Sequence, residues 1–372
     1  MPLTVADVMC SLERLAPASW AEDWDRVGLQ LGRPDRVLSG VVLAVDVTPS
    51  VVERARQVGA AMIVAHHPLL FTPVTEIRTD TPHGSLLADL LHADLSVYAA
   101  HTNLDCAPRV GPAAALAAAL NLQEVRPLLP VPGEARSKLV TFLPEESLPA
   151  VRQALADAGA GVVGSYRECT FHTLGQGHFR APAESHPTVG APGVANQVTE
   201  ARLEMVFPAG AEASVVRALL AAHPYEEPAF DLYRLAAPPS VAGLGRIGRL
   251  PTTASAEDLA RLVAKVLDLG AVHLAGGAQV DTVALLPGSG SSAVQPALAA
   301  GAHALITGEL GYHETTEAVA SGLAVITAGH AESEALLLPA LAAALREEFG
   351  AALHVTIAPP APTWRCLAPG AG

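Results

Sequence analysis

A regular alternation of amphipathic helices and apolar strands runs through this chain, stops once, and then resumes. That interruption limits the possible folds more than any other feature. The spacing predicts a helix from Val5 to Leu15, a strand from Gly40 to Val47, a helix from Pro49 to Val58, a strand from Ala61 to Ala65, a helix from Ser85 to Ala93 and a strand from Leu95 to Ala100. The pattern returns with helix Ala256 to Leu267, strand Thr282 to Leu286, helix Ala293 to Ala300, strand Ala304 to Thr307, helix Glu314 to Ser321, strand Ala324 to Ala328 and helix Glu332 to Phe349. Such alternation implies a sheet covered by helices, with functional groups where strands end and loops begin.

Between the two halves, prolines at 127, 130 and 132 and at 238 and 239 bracket a stretch of different character. It reads as strand Lys138 to Leu143, helix Leu148 to Ala158, strand Tyr166 to Thr173, strand Ala201 to Phe207, helix Glu212 to Ala222 and strand Ala229 to Leu235. This β-α-β-β-α-β order is that of a ferredoxin-like unit, complete in one segment. The expectation is therefore an α/β fold: a discontinuous α/β domain over residues 1–126 and 241–372, with an inserted ferredoxin-like α+β domain over residues 127–240.

Composition removes several classes. Half of the 372 residues are apolar, enough for a large core. No apolar run approaches the roughly 20 residues of a membrane span, and the start Met-Pro-Leu-Thr-Val-Ala-Asp lacks the basic residues of a signal peptide. A cytoplasmic protein without a membrane partner is expected. Cys10, Cys106, Cys169 and Cys366 form no C-x-x-C pair and read as small core residues, with Cys106 directly after Asp105. A net charge of −14 without clustered Lys or Arg argues against nucleic acid. An anionic small molecule stays compatible with it, because bound metal ions reverse the local sign of a site.

Metal ions are what the histidines point to. His66 and His67 end the apolar run Ala61–Ala65, His101 follows the strand ending at Ala100, and His330 follows the strand ending at Ala328. In His101-x-x-x-Asp105 and His330-x-x-x-Glu334 the polar groups are four apart, on one face of a helical turn. Each cluster alone could equally be structural. Together, His66, His67, Asp105, His330 and Glu334 supply three imidazoles and two carboxylates. That is too many for one open catalytic zinc and suits two ions sharing a carboxylate bridge and water, roughly 3.5 to 4 Å apart. Zinc, iron, manganese and cobalt all accept this donor set.

These residues lie in motifs that resemble the NIF-three-like dinuclear-metal family, the GTP cyclohydrolase I type 2 homologues. Trp24-Asp-Arg-Val-Gly-Leu-Gln30 is similar to the family's W-D-N-x-G-L, with Arg26 for the usual Asn. Asp46-Val-Thr48, Ala65-His-His-Pro68, His101-Thr-Asn-Leu-Asp105, Thr307-Gly-Glu309 with Tyr312-His313, and Gly329-His-Ala-Glu-Ser-Glu334 follow in the family's order, with Glu309 where Asp is common. The resemblance implies that His66, His67, Asp105, His330 and Glu334 are the metal ligands, with His101 beside them as a neighbouring or proton-carrying group and Tyr312 and His313 near the metals.

The inserted stretch resembles the PII/CutA-like domain of the family's longer members. Its signature, His223-Pro-Tyr-Glu-Glu-Pro228, reads either as a ligand site or as a rigid turn. Pro287-Gly-Ser-Gly-Ser-Ser292, between a strand and a helix, is a place where backbone N–H groups could receive a phosphate or simply form a turn.

What the resemblance implies about activity is a GTP cyclohydrolase-like hydrolysis of a nucleotide or related heterocycle. Activated water attacks C8 of the guanine ring, formate leaves, and His101 or His313 moves protons. It also implies a homo-hexamer. The competing expectation is a non-catalytic metal-binding regulatory or chaperone-like protein whose insert senses a ligand or partner.

Overall fold

The short runs Gly40–Ala44, Met62–Ala65 and Ser96–Ala99 are fully buried and become parallel strands. The elements are α1 (Val5–Leu15), β1 (Gly28–Leu31), β2 (Gly40–Ala44), α2 (Pro49–Gln57), β3 (Met62–Ala65), α3 (Pro82–His92), β4 (Ser96–Ala99), α4 (Thr102–Asp105), α5 (Pro112–Ala119) and β5 (Gln123–Pro130). Helices start where capping chemistry allows: Thr48 accepts the Val51 N–H and Thr81 accepts the Gly84 N–H, each with proline in the first turn. The computed structural model describes residues 2–133, 135–237, 240–277 and 279–360. Cys366 and the edge prolines 238 and 239 lie outside the described residues.

The inserted stretch contributes β6 (Arg136–Leu143), α6 (Leu148–Asp157), β7 (Thr170–Arg180), β8 (Ala195–Pro208), α7 (Glu212–Ala222) and β9 (Phe230–Leu235). The second half supplies β10 (Gly243–Ser255), α8 (Ala256–Val266), β11 (His273–Ala275), β12 (Gln279–Ser289), α9 (Val294–Ala299), β13 (Ala304–Glu309), α10 (Tyr312–Ala320), β14 (Ala324–Thr327), α11 (His330–Glu334), α12 (Leu337–Phe349) and β15 (His354–Ile357).

Two units result, one formed by Met1–Val131 with Ser240–Gly372 and the other by Pro132–Pro239. The larger unit holds two sheets, ordered β1-β4-β3-β2-β15 and β11-β14-β13-β12-β10-β5. In the first, β4, β3, β2 and β15 are parallel; in the second, β14, β13 and β12 are. Both sheets are covered on two faces. Val41, Leu43 and Val64 meet α1 and α12, whereas Val42, Ala44 and Ile63 meet α2 and α3. Val283, Leu285 and Ile306 meet α5 and α8, whereas Ala284, Leu286 and Leu305 meet α9 and α10. Near-continuous apolar strands are the sequence form of a sheet buried on both sides.

The insert forms a four-stranded antiparallel sheet, ordered β7-β8-β6-β9, the ferredoxin-like order. Its core packs Leu139, Leu143, Leu203, Met205 and Phe207 against Val151, Leu155, Val215 and Leu219 of α6 and α7.

Three boundaries differ from expectation. The insert begins at Pro132 rather than at 127, because Gln123–Pro130 is a strand of the larger unit paired with β10. Strands β7 and β8 run beyond Tyr166–Thr173 and Ala201–Phe207, to a hairpin paired from Thr170↔Met205 to Arg180↔Ala195. Its outer half carries glycines and polar residues, so ladder hydrogen bonds hold it without an apolar alternation. The helix expected from Glu332 to Phe349 is two pieces, α11 and α12, with an i to i+3 bond from the Leu338 N–H to the Ala335 carbonyl where they join.

Candidate metal centre

The carboxyl ends of the parallel strands in both sheets of the larger unit converge on one cluster. β3 delivers His66 and His67, β4 leads through His101 into α4 and Asp105, and β14 leads through Gly329, at φ +86°, into α11 with His330 and Glu334. Placement at strand ends leaves the side chains free of the ladder while the sheets fix their backbones.

Each imidazole is oriented by an oxygen on its Nδ1. His66 Nδ1 donates to the Ala100 carbonyl at 2.9 Å, and since a carbonyl only accepts, Nδ1 carries the proton. His67 Nδ1 donates to Asp46 at 2.7 Å, and His330 Nδ1 lies 3.1 Å from Glu309. His101 Nδ1 donates to Asp25 at 2.8 Å. This leaves the Nε2 lone pairs for another purpose, as metal-bound histidines require.

Those Nε2 atoms surround Glu334. His67 Nε2 is 3.0 Å, His330 Nε2 3.3 Å and His66 Nε2 3.7 Å from its carboxylate, and His66 Nε2 is 3.5 Å from Asp105. Buried His66 Nε2, His67 Nε2 and Glu334 Oε2 have no hydrogen-bond partner among the described residues. Buried polar atoms without partners are costly, and a cation among them would relieve that cost. Ligand atoms of His67, His330 and Glu334 fall within 4.8 Å of one another, as do those of His66, His67 and His101. The donor set fits a metal ion.

The electrostatics follow from the same packing. Burial would raise the Glu334 carboxyl, but the surrounding imidazoles outweigh it and hold it well below the usual range. Burial also opposes protonation of His67, yet Asp46 and Glu334 lift it to about 10. The Glu334 bond raises His330 to about 9 against its own burial. Asp105 is pushed up to about 6, chiefly by burial.

The surroundings fix the ligands. Asp25 is buried, bonds His101 and accepts the Thr102 N–H at 3.0 Å. Its carboxyl stays well below its ordinary value because these bonds, from His101 first, outweigh the burial that would raise it. Buried Arg246 donates to the carbonyls of Cys106, Ala107, Gly243 and Gly245, tying the exit of α4 to β10. Gly288, at φ +75°, sits so close to Glu334 that a Cβ would meet its Oε1 at 2.2 Å.

Some expectations move. The 287–292 segment is the end of β12 followed by a 3-10 turn, and two of its N–H groups are already engaged: Gly288 donates to Ser333 Oγ and Gly290 to the Glu309 carbonyl. His313 is exposed in the first turn of α10, where its described ring contact is with Tyr312. Cys106 is buried, its thiol pushed up to about 12 by burial, and Cys10 is exposed rather than core. Among the metal expectations, the structure brings His66, His67, Asp105, His330 and Glu334 together, with His101 alongside. Asp25 and Asp46 lay in the motifs, but no spacing rule linked them to histidines 76 and 21 residues away.

Fold and site define a class: an α/β protein whose strand ends assemble a histidine and carboxylate cluster able to hold metal. The family Duf34/NIF3 (NGG1p interacting factor 3) matches residues 3–361, and the chain belongs to it. It is 41% identical over 364 residues to a GTP cyclohydrolase 1 type 2 homolog of Mycobacterium tuberculosis, covering 96% of this chain and 95% of that one. A protein of the same name from Halalkalibacterium halodurans is 39% identical over 320 residues, covering 86% of each. Among solved structures, a Bacillus cereus protein related to NIF3 superposes with TM-score 0.76 at 34% identity, covering 99% of this chain and 100% of that one. A Staphylococcus aureus protein does so with TM-score 0.85 at 26% identity, covering 98% and 99%.

Proposed function

We propose that the cluster holds two divalent ions, zinc, iron, manganese or cobalt, and serves hydrolysis of a nucleotide or related heterocycle. The observation that carries this reading is the convergence of three Nε2 atoms on the buried carboxylate of Glu334, each ring held by an oxygen on its far nitrogen. When bound, such ions activate water and polarise the bond it attacks. His66, Asp105, His67, His330 and Glu334 would hold them. Asp25 fixes the ring of His101, whose centroid is 5.2 Å from that of His66, so that Nε2 can take or return a proton beside the cluster.

A planar substrate is favoured by the rim. Trp24 is 54% exposed, with its ring edge-on to His101 at 6.0 Å and 5.9 Å from Phe71, which offers stacking area next to the polar cluster. The relatives' name supports a guanine nucleotide as the first substrate to try.

The test is metal analysis and turnover on the same preparations. His66→Ala and Glu334→Ala should each lose bound metal and formate release from GTP together, with turnover of the unaltered protein above about 0.1 per second. A variant stripped of metal yet fully active would overturn the reading. Binding without turnover across a nucleotide panel would replace hydrolysis with a regulatory role.

A further inference from the structure

The insert contains a cavity of about 610 Å³ that has no part in the metal centre. It lies on the sheet face opposite α6 and α7. Leu139, Leu143, Leu203 and Met205 point to the helices, and the alternation along each strand sends Phe142, Thr173, Gly175, Glu200 and Arg202 to the other side. Glycine makes the floor deep. A Cβ on Gly175 would meet nothing within 4 Å, while one on Gly177 would strike Glu200.

The His223-Pro-Tyr-Glu-Glu-Pro228 motif builds the wall. His223 donates through Nε2 to the Phe142 carbonyl at 3.1 Å and accepts the Tyr225 N–H on Nδ1. Tyr225 donates its hydroxyl to Glu200 Oε1 at 2.8 Å. Glu226 accepts the His186 N–H and the Pro224 carbonyl accepts the Thr188 hydroxyl, so the segment after β7 is tied over the cavity. The motif is thus both a rigid turn and one side of a chamber.

Two charged groups on the floor keep unused capacity. Arg202 engages Glu204 only through Nε, at 2.9 Å, and lies 5.7 Å above the Phe142 ring, which leaves its terminal N–H groups without a partner among the described residues. Glu200 uses Oε1 for Tyr225, and Oε2 has no such partner. On one strand and one face, these positions are about 6 to 7 Å apart. Phe179 and Tyr225 add apolar surface around them.

We infer that this cavity binds a zwitterionic amino compound with an aromatic body, an aromatic amino acid or a dipeptide containing one. The carboxylate meets the fork of Arg202, the ammonium meets Glu200, and the ring lies against Phe142 and Phe179. The volume falls in the range of about 300 to 1000 Å³ typical of ligand pockets and exceeds the need of a small amino acid.

Calorimetric titration of the metal-loaded full chain with L-tryptophan and with alanyl-phenylalanine tests this. At least one should bind with Kd below about 1 mM, and 3-phenylpropionate and phenethylamine, each with one charge, at least tenfold more weakly. Arg202→Met and Glu200→Gln, the latter keeping the acceptor for Tyr225, should each weaken binding at least tenfold, and Gly175→Leu should abolish it. Metal content should stay that of the unaltered protein in all three variants, which separates this outcome from failure of the metal centre. If Gly175→Leu does not fold, the other two variants decide. Absence of heat with both zwitterions overturns the inference, as does equal affinity in the variants or equal binding of 3-phenylpropionate. Loss of self-association in Gly175→Leu without any ligand binding would also overturn it, making the occupant a second copy of the chain.

Discussion

At the scale of single residues, the cluster depends on residues that never become ligands. Gly288 is the sharpest case, because both its positive φ and the 2.2 Å approach to Glu334 exclude a side chain. Gly288→Ala should displace the Glu334 carboxylate and lower bound metal at least tenfold, an effect on the scale of outer-shell changes. Gly322→Ala, also at positive φ but with nothing within 4 Å, serves as the control for backbone strain alone. Equal metal content in the two variants would contradict this account. The histidines were legible in the sequence because they terminate apolar runs. Gly288, Asp25 and Asp46 were not legible as parts of the site, because their roles arise only when separate strands bring their ends together.

Among the elements, the strands buried on both faces were the most readable, since continuous apolar runs leave little choice. Strand β10, Gly243–Ser255, escaped notice because its glycines, arginines and proline break any apolar period, although it joins β5 to β12. The turn after α7 carries a prediction of its own. His223 is held neutral, chiefly by burial, so its folded pKa lies below the ordinary value of about 6.5. The unfolded chain therefore takes up the proton first as pH falls. The insert should keep this contribution above about pH 6.5 and lose it progressively below. Hydrogen exchange of β6 and α7 in the full chain, corrected for intrinsic rates, should show weaker protection at pH 5 than at pH 7.5, and His223→Gln should flatten that difference. Undiminished protection at pH 5 would refute it.

For the whole molecule, the alternation and its interruption gave the two units, but the point of insertion had to come from strand pairing. Pro130 lies opposite Gly243, and the Val131 N–H donates to the Ala242 carbonyl, so the insert leaves and re-enters across one antiparallel pair. Replacing residues 132–239 by nothing, with Asn-Gly at 240 and 241, leaves a two-residue hairpin between β5 and β10. That shortened chain should fold, bind metal as the full chain does, and fail to bind the zwitterions; a shortened chain that cannot hold metal would show that the insert supports the centre. Among the described residues, no helix is long and apolar enough to cross a membrane.

The hairpin junction also sets an order of events during synthesis. Strand β5 emerges from the ribosome long before its partner β10, and β2 waits until β15, near residue 354, to complete its sheet. The insert needs nothing beyond β9 for its own sheet, so it can close while β5 and the outer edge of β2 are still unpaired. Once closed, it replaces a loose connection of more than a hundred residues by a fixed one, which lowers the entropy lost when β5 and β10 meet. A domain placed inside another thereby becomes an early folding template for the strands that flank it.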